Sequence, residues 1–154
     1  MKVRIIDSTS TSTTSETSQS RNIGLHATRN HLPLIARILL SALFLWSGVG
    51  KILHPAETQA YMAAYGMPLT WLFLPAVIVL EIGAGLSLLL GFYARIGAAA
   101  LAIFTLVTAF IFHTHFADQI QQIQFMKNLS LIGGLLMVVQ YGSGNIAVRL
   151  SQRR

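Results

Sequence analysis

Apolar residues in this chain gather into four long blocks separated by short polar breaks. Blocks of this length match the roughly 20 residues that a helix needs to cross a bilayer. They predict membrane helices over about 33–53, 69–91, 96–116 and 125–141. The expected fold is all-α: an integral membrane four-helix bundle over residues 31–154. Pro33 suits the first turn of the first span, and Pro75 is placed to kink the second.

The breaks have their own character. Residues 1–30 read as a disordered, Ser/Thr-rich tail, since Ser8 to Ser20 holds only Glu16 and Gln19 besides Ser and Thr and has little to bury. No apolar run closely follows Lys2 and Arg4, so no secretory signal is read there. Pro55 to Gly66 is too polar to span and predicts a short surface helix, with Tyr61 and Tyr65 on one side. Gly66 and Pro68 punctuate its end. Phe92–Arg95 reads as a tight turn, and Asp118–Gln124 as a polar loop.

Composition sharpens this picture. The chain of 154 residues is 53% hydrophobic and 10% charged, against about 25% charged in a soluble domain. The net charge of +6 does not point to nucleic acid, because the basic residues flank the apolar blocks rather than form a stripe. With the N-terminus inside, Lys2, Arg4, Arg21, Arg29, Arg37, Arg95, Arg149, Arg153 and Arg154 fall on the cytoplasmic side, and Lys51 and Lys127 on the other. The positive-inside rule then predicts cytoplasmic N- and C-termini. There is no cysteine, which rules out disulfides, thiolate metal sites and cysteine redox chemistry in this chain.

The candidate chemistry is one polar layer. Glu81 is the only ionisable residue between Met67 and Tyr93, and such residues usually face the bundle interior and have a partner. Arg37 to Lys51, Glu81 to Arg95 and Lys127 to Tyr141 are each 14 residues apart, or about 21 Å of helix. If Arg37, Arg95 and Tyr141 share a plane, then Lys51, Glu81 and Lys127 share another, with Asn128 adjoining and His113 slightly further out. Only 13 uncharged residues separate Arg37 from Lys51. They cover about 20 Å, so one of the two must sit within the membrane or snorkel from it. His113 and His115 are two apart and diverge on a helix, so no metal pair is expected. Ser41, Ser47 and Ser130 read as packing or backbone-bonding residues.

These residues also resemble a family. Arg37 with Phe44, Gly48, Gly50 and Lys51, then Tyr61-Met62 to Gly66 and Pro68, Leu80-Glu81 with Gly83 and Gly85, Gly91 with Arg95, Phe112-His113, Asp118, and Phe125 to Leu129 with Gly133-Gly134 resemble the DoxX family of bacterial inner-membrane proteins over about residues 34–145. Related chains often finish with an acidic residue where this one has Arg149. The resemblance implies four membrane helices and a link to redox chemistry, since members are similar to a small subunit of thiosulfate:quinone oxidoreductases.

Three functions stay open. The chain is a quinone-associated redox subunit, with Glu81 relaying protons, Lys51 and Lys127 holding quinone oxygens, and a soluble or membrane redox partner supplying electrons. Alternatively it is a structural or assembly subunit in which Glu81 and a lysine lock the bundle. The third reading is a small-solute or proton transporter, which with four spans would need a homo-oligomer.

Overall fold

The computed structural model describes residues 12–144. Five helices follow in order: α1 (Ser12–Leu53), α2 (Pro55–Ala64), α3 (Thr70–Leu90), α4 (Ala94–Phe112) and α5 (Gln119–Tyr141). Four segments are long and apolar enough to cross a membrane: His31–Leu53, Thr70–Leu90, Ala94–Phe112 and Gln119–Tyr141. They pack in chain order, α1 on α3, α3 on α4 and α4 on α5, while α1 and α5 touch over a short stretch.

Small residues set the spacing. A Cβ on Gly48 would lie 2.7 Å from Ile82 Cδ1, and one on Gly85 would lie 3.0 Å from Leu45 Cδ2. These contacts bring α1 and α3 close and fix their antiparallel register, with residue 48 level with residues 81 and 82. Gly97 does the same for α4, where a Cβ would meet Ser87 Oγ at 2.9 Å. Van der Waals packing of this kind is a main source of association for helices already in lipid. The main core joins Phe44, Leu88, Ala98, Leu101, Leu135 and Val138. A second cluster, Met62, Leu74 and Phe112, seats α2 on the bundle. Large apolar side chains such as Trp46 and Val79 point outward, as lipid-facing residues do.

Several boundaries differ from the sequence reading. Helical backbone reaches back to Ser12, into the stretch that composition assigns to a disordered tail; residues 1–11 of that tail lie outside the described residues. Adding a residue to a formed helix avoids the cost of nucleation, so a long span can carry poor helix formers as an extension. Pro33 therefore lies inside α1 rather than in its first turn. The third span stops at Phe112, with His113 as its C-cap, so His115 is in the loop. The fourth spanning helix, α5, starts at Gln119, six residues before the apolar block. Asp118 caps it, its carboxylate accepting from Ile120 N at 2.9 Å, and glutamines are good helix formers. The surface helix at 55–64 forms as expected, with the Tyr61 and Tyr65 rings 5.0 Å apart.

Arg37 shows why the bundle closes at the end that carries the α3–α4 turn. Its side chain is buried. Nε donates to Leu88 O and Nη2 to Leu89 O, both at 2.9 Å, and Nη1 donates to Ser143 O. The last carbonyls of a helix lack intrahelical donors and carry partial negative charge. One guanidinium on α1 thus satisfies two of the last carbonyls of α3 and holds the segment just after α5. Arg37 reads in the sequence as an interface anchor, yet it is a fastener inside the fold.

Candidate functional site

Lys51 and Glu81 meet across the α1–α3 contact. Lys51 Nζ lies 3.0 and 2.9 Å from Glu81 Oε1 and Oε2. It also donates to Ser47 Oγ at 2.6 Å, and Ser47 Oγ donates to Glu81 Oε1 at 3.1 Å. The reason is local. Ser47 precedes Lys51 by one helical turn, so both share a face, and Gly48 lets α3 approach that face. The Glu81 side chain is 4% exposed and that of Lys51 is 20%. Both Arg37 and Lys51 therefore sit within the bundle, where the short interval between them required only one.

This triad borders a cavity of about 700 Å³. Its walls are mainly apolar, with Phe44, Phe104 and Phe112 among them, and polar groups converge from several elements: Thr105 and Thr108 of α4, Asn128 of α5, His113, and Tyr61 and Tyr65 at the α2 end. Tyr61 stacks on Phe112 with ring centroids 5.4 Å apart, and Tyr65 meets the same ring edge-on at 5.1 Å. Partial burial, then the neighbouring Tyr65 phenol, pushes the Tyr61 phenol up to about 12, so it stays protonated at physiological pH. His113 Nδ1 pairs with Gln121 Oε1 at 2.8 Å. The Asn128 side chain faces the cavity with no protein hydrogen-bond partner among the described residues.

Of the five residues placed in one layer by spacing, the fold brings Lys51, Glu81, His113 and Asn128 to the same cavity. Lys127 is elsewhere. It is exposed, its Nζ donates to Gln124 Oε1 at 2.8 Å, and it lines a different groove. Gly134 faces Leu40, and seven residues along each antiparallel helix from that contact bring residue 127 level with residue 47, one turn from Lys51. Its side chain points away from Glu81, because one residue turns a helix by about 100°, and Asn128 takes the inward position. Two lysines therefore do not face Glu81. The serines divide as well. Ser41 and Ser130 bond backbone carbonyls of their own helices, as read, whereas Ser47 belongs to the ion pair. Its position four residues before Lys51 was the available signal. Tyr61, Tyr65, Thr105 and Thr108 carried no signal for this cavity, since helix rotation alone aims them into it.

Comparison with known proteins agrees with a chain of membrane-spanning helices. The DoxX family model matches residues 32–114. The chain is 47% identical over 115 residues to inner membrane protein YqjF of Escherichia coli K12, covering 75% of this chain and 87% of that protein. It is 34% identical over 128 residues to inner membrane protein YphA of the same organism, covering 79% and 91%. No solved structure matches. A matched family segment that takes in the first three spans, close relatives in the inner membrane, and four helices of spanning length lead to one statement: the chain belongs to the DoxX family and is a multi-pass inner-membrane protein.

Proposed function

We propose that the chain is the membrane-embedded, quinone-binding subunit of a redox assembly, with both termini in the cytoplasm. The observation that carries this reading is the cavity: about 700 Å³, mainly apolar in its walls, with polar groups at named points. Sites for small apolar cofactors have this size and make-up. A bound quinone would accept two electrons and two protons. The chain has no cysteine and no recognisable metal or flavin motif, so the electrons must come from a partner protein.

The residues fit a quinone headgroup in a changed arrangement. Lys51 directs its donors to Glu81 and Ser47, and Lys127 is outside. The amide of Asn128, unpartnered among the described residues, and the phenols of Tyr61 and Tyr65 are donors facing the space. Glu81, held by Lys51 and Ser47, is the group able to exchange a proton with a reduced headgroup. Leu43 and Leu131 line both this cavity and the groove between α1 and α5, so a bilayer-soluble ligand would pass between these two leucines.

The test is the quinone content of purified protein, by solvent extraction and chromatography. Wild type is expected to hold near-stoichiometric quinone, and Glu81→Gln and Asn128→Leu are expected to hold less. Equal content in all three, or none in any, rejects the reading.

One observation favours a second reading. The Lys51 ammonium and the Ser47 hydroxyl direct their donors at other members of the triad, which is how a structural ion pair is built. On that reading the chain is an assembly subunit and substitutions change stability alone.

A further inference from the structure

The groove between α1 and α5 lies outside the cavity. It encloses about 800 Å³, and its lining includes Leu40 and Leu43 from α1 and Phe125, Met126 and Leu131 from α5. It exists because α1 and α5 are the two spanning helices that pack least where they meet. Facing lipid, such a slot needs an apolar occupant.

Among the described residues that line it, Lys127 is the only charged one. The Nζ bond to Gln124 shows that the side chain runs toward the N-terminus of α5, toward the end of the bundle that carries α2. Lys127 is 14 residues from Tyr141, or about 21 Å of helix, and an extended lysine stem adds roughly 6 Å in the direction it points. With Tyr141 at the opposite boundary of a hydrocarbon core that is about 30 Å thick, the ammonium stands about 27 Å from that boundary. That is within reach of lipid phosphates. Among the described residues no carboxylate lies within ion-pair range of it. Its one partner is a neutral amide, and an ammonium has three donors, so two are free for an anion.

An apolar slot between helices, closed at headgroup depth by a cation with free donors, has the chemistry of a phospholipid site. We infer that an anionic glycerophospholipid occupies the α1–α5 groove, with its phosphate on Lys127 and an acyl chain along Leu40, Leu43 and Leu131. The bound lipid supplies the packing that α1 and α5 do not give each other. This does not depend on what fills the cavity.

The test uses delipidated full-length protein in a neutral detergent, titrated with dioleoylphosphatidylglycerol or dioleoylphosphatidylcholine and read by native mass spectrometry. Wild type should hold one phosphatidylglycerol per chain about fivefold more tightly than phosphatidylcholine, the preference that a single lysine near a headgroup supplies. Lys127→Met should lose that preference and Lys127→Arg should keep it. Equal affinity of wild type for the two lipids, or an unchanged preference in Lys127→Met, overturns the proposal. So does a delipidated dimer that Lys127→Met dissociates, since the groove would then be filled by a second copy of the chain.

Discussion

Taking a carboxylate and an ammonium out of water costs several kcal/mol for each ion, and their attraction returns this only with good geometry and further hydrogen bonds. Lys51, Ser47 and Glu81 meet that condition, but the two charges are not equally confined. Lys51 is one-fifth exposed and can snorkel if its partner is lost, whereas Glu81 at 4% exposure cannot. Removing the lysine should therefore do more harm than removing the acid. Lys51→Met is expected to cost about 3 kcal/mol, near the lower end for a broken buried pair. Glu81→Leu should cost less, and the double variant should recover most of the loss, as apolar replacement of a whole pair often does. Thermal unfolding of the four proteins in one detergent checks this, and equal losses in the two single variants contradict it. The pair itself was legible in the sequence, because two charges isolated in apolar blocks at one depth have few alternatives. Lys127 was misplaced because counting along a helix fixes height, while the face depends on rotation set by contacts such as Gly134 on Leu40.

Between helices the same register argument becomes a matter of glycines. Gly85 and Gly83 lie two residues apart in α3, yet only Gly85 meets a neighbour: its Cβ would fall 3.0 Å from Leu45, whereas one on Gly83 has nothing within 4 Å. Gly85→Val should force α1 and α3 apart, costing roughly 1–3 kcal/mol, the range for overpacking a tight core. It should also loosen the Lys51–Glu81 pairing that the contact holds in register. Gly83→Ala should leave stability unchanged or raise it slightly, since alanine is the better helix former. Melting temperatures measured side by side decide it, and a Gly83→Ala protein as damaged as Gly85→Val would show that the register is wrong. The four spans were legible because a bilayer imposes length and apolarity together. The start of α5 was not: its first turns are polar and helical because Asp118 caps them, a local signal that a search for apolar blocks passes over.

For the molecule as a whole, the fold divides its polar chemistry between two ends. Arg37 ties the ends of α3 and α5 together at one end, while the cavity, α2, Tyr61, Tyr65 and His113 lie toward the other. Which end faces the cytoplasm decides from which side the proposed redox partner could reach the cavity. The proposed orientation, with the Arg37 end in the cytoplasm, rests on a charge count of nine basic residues against two, a bias of the kind that sets membrane orientation. The cavity would then lie nearer the far side, and electrons or protons exchanged there would come from outside the cytoplasm. The absence of native cysteine makes the question simple to ask. Glu57 in α2 and Phe92 in the α3–α4 turn are both exposed, at opposite ends of the bundle. In intact spheroplasts a membrane-impermeant maleimide should label Glu57→Cys and not Phe92→Cys, and permeabilised membranes should label both. Labelling of Phe92→Cys alone in intact spheroplasts would invert the molecule, turn the cavity toward the cytoplasm, and require a cytoplasmic redox partner instead.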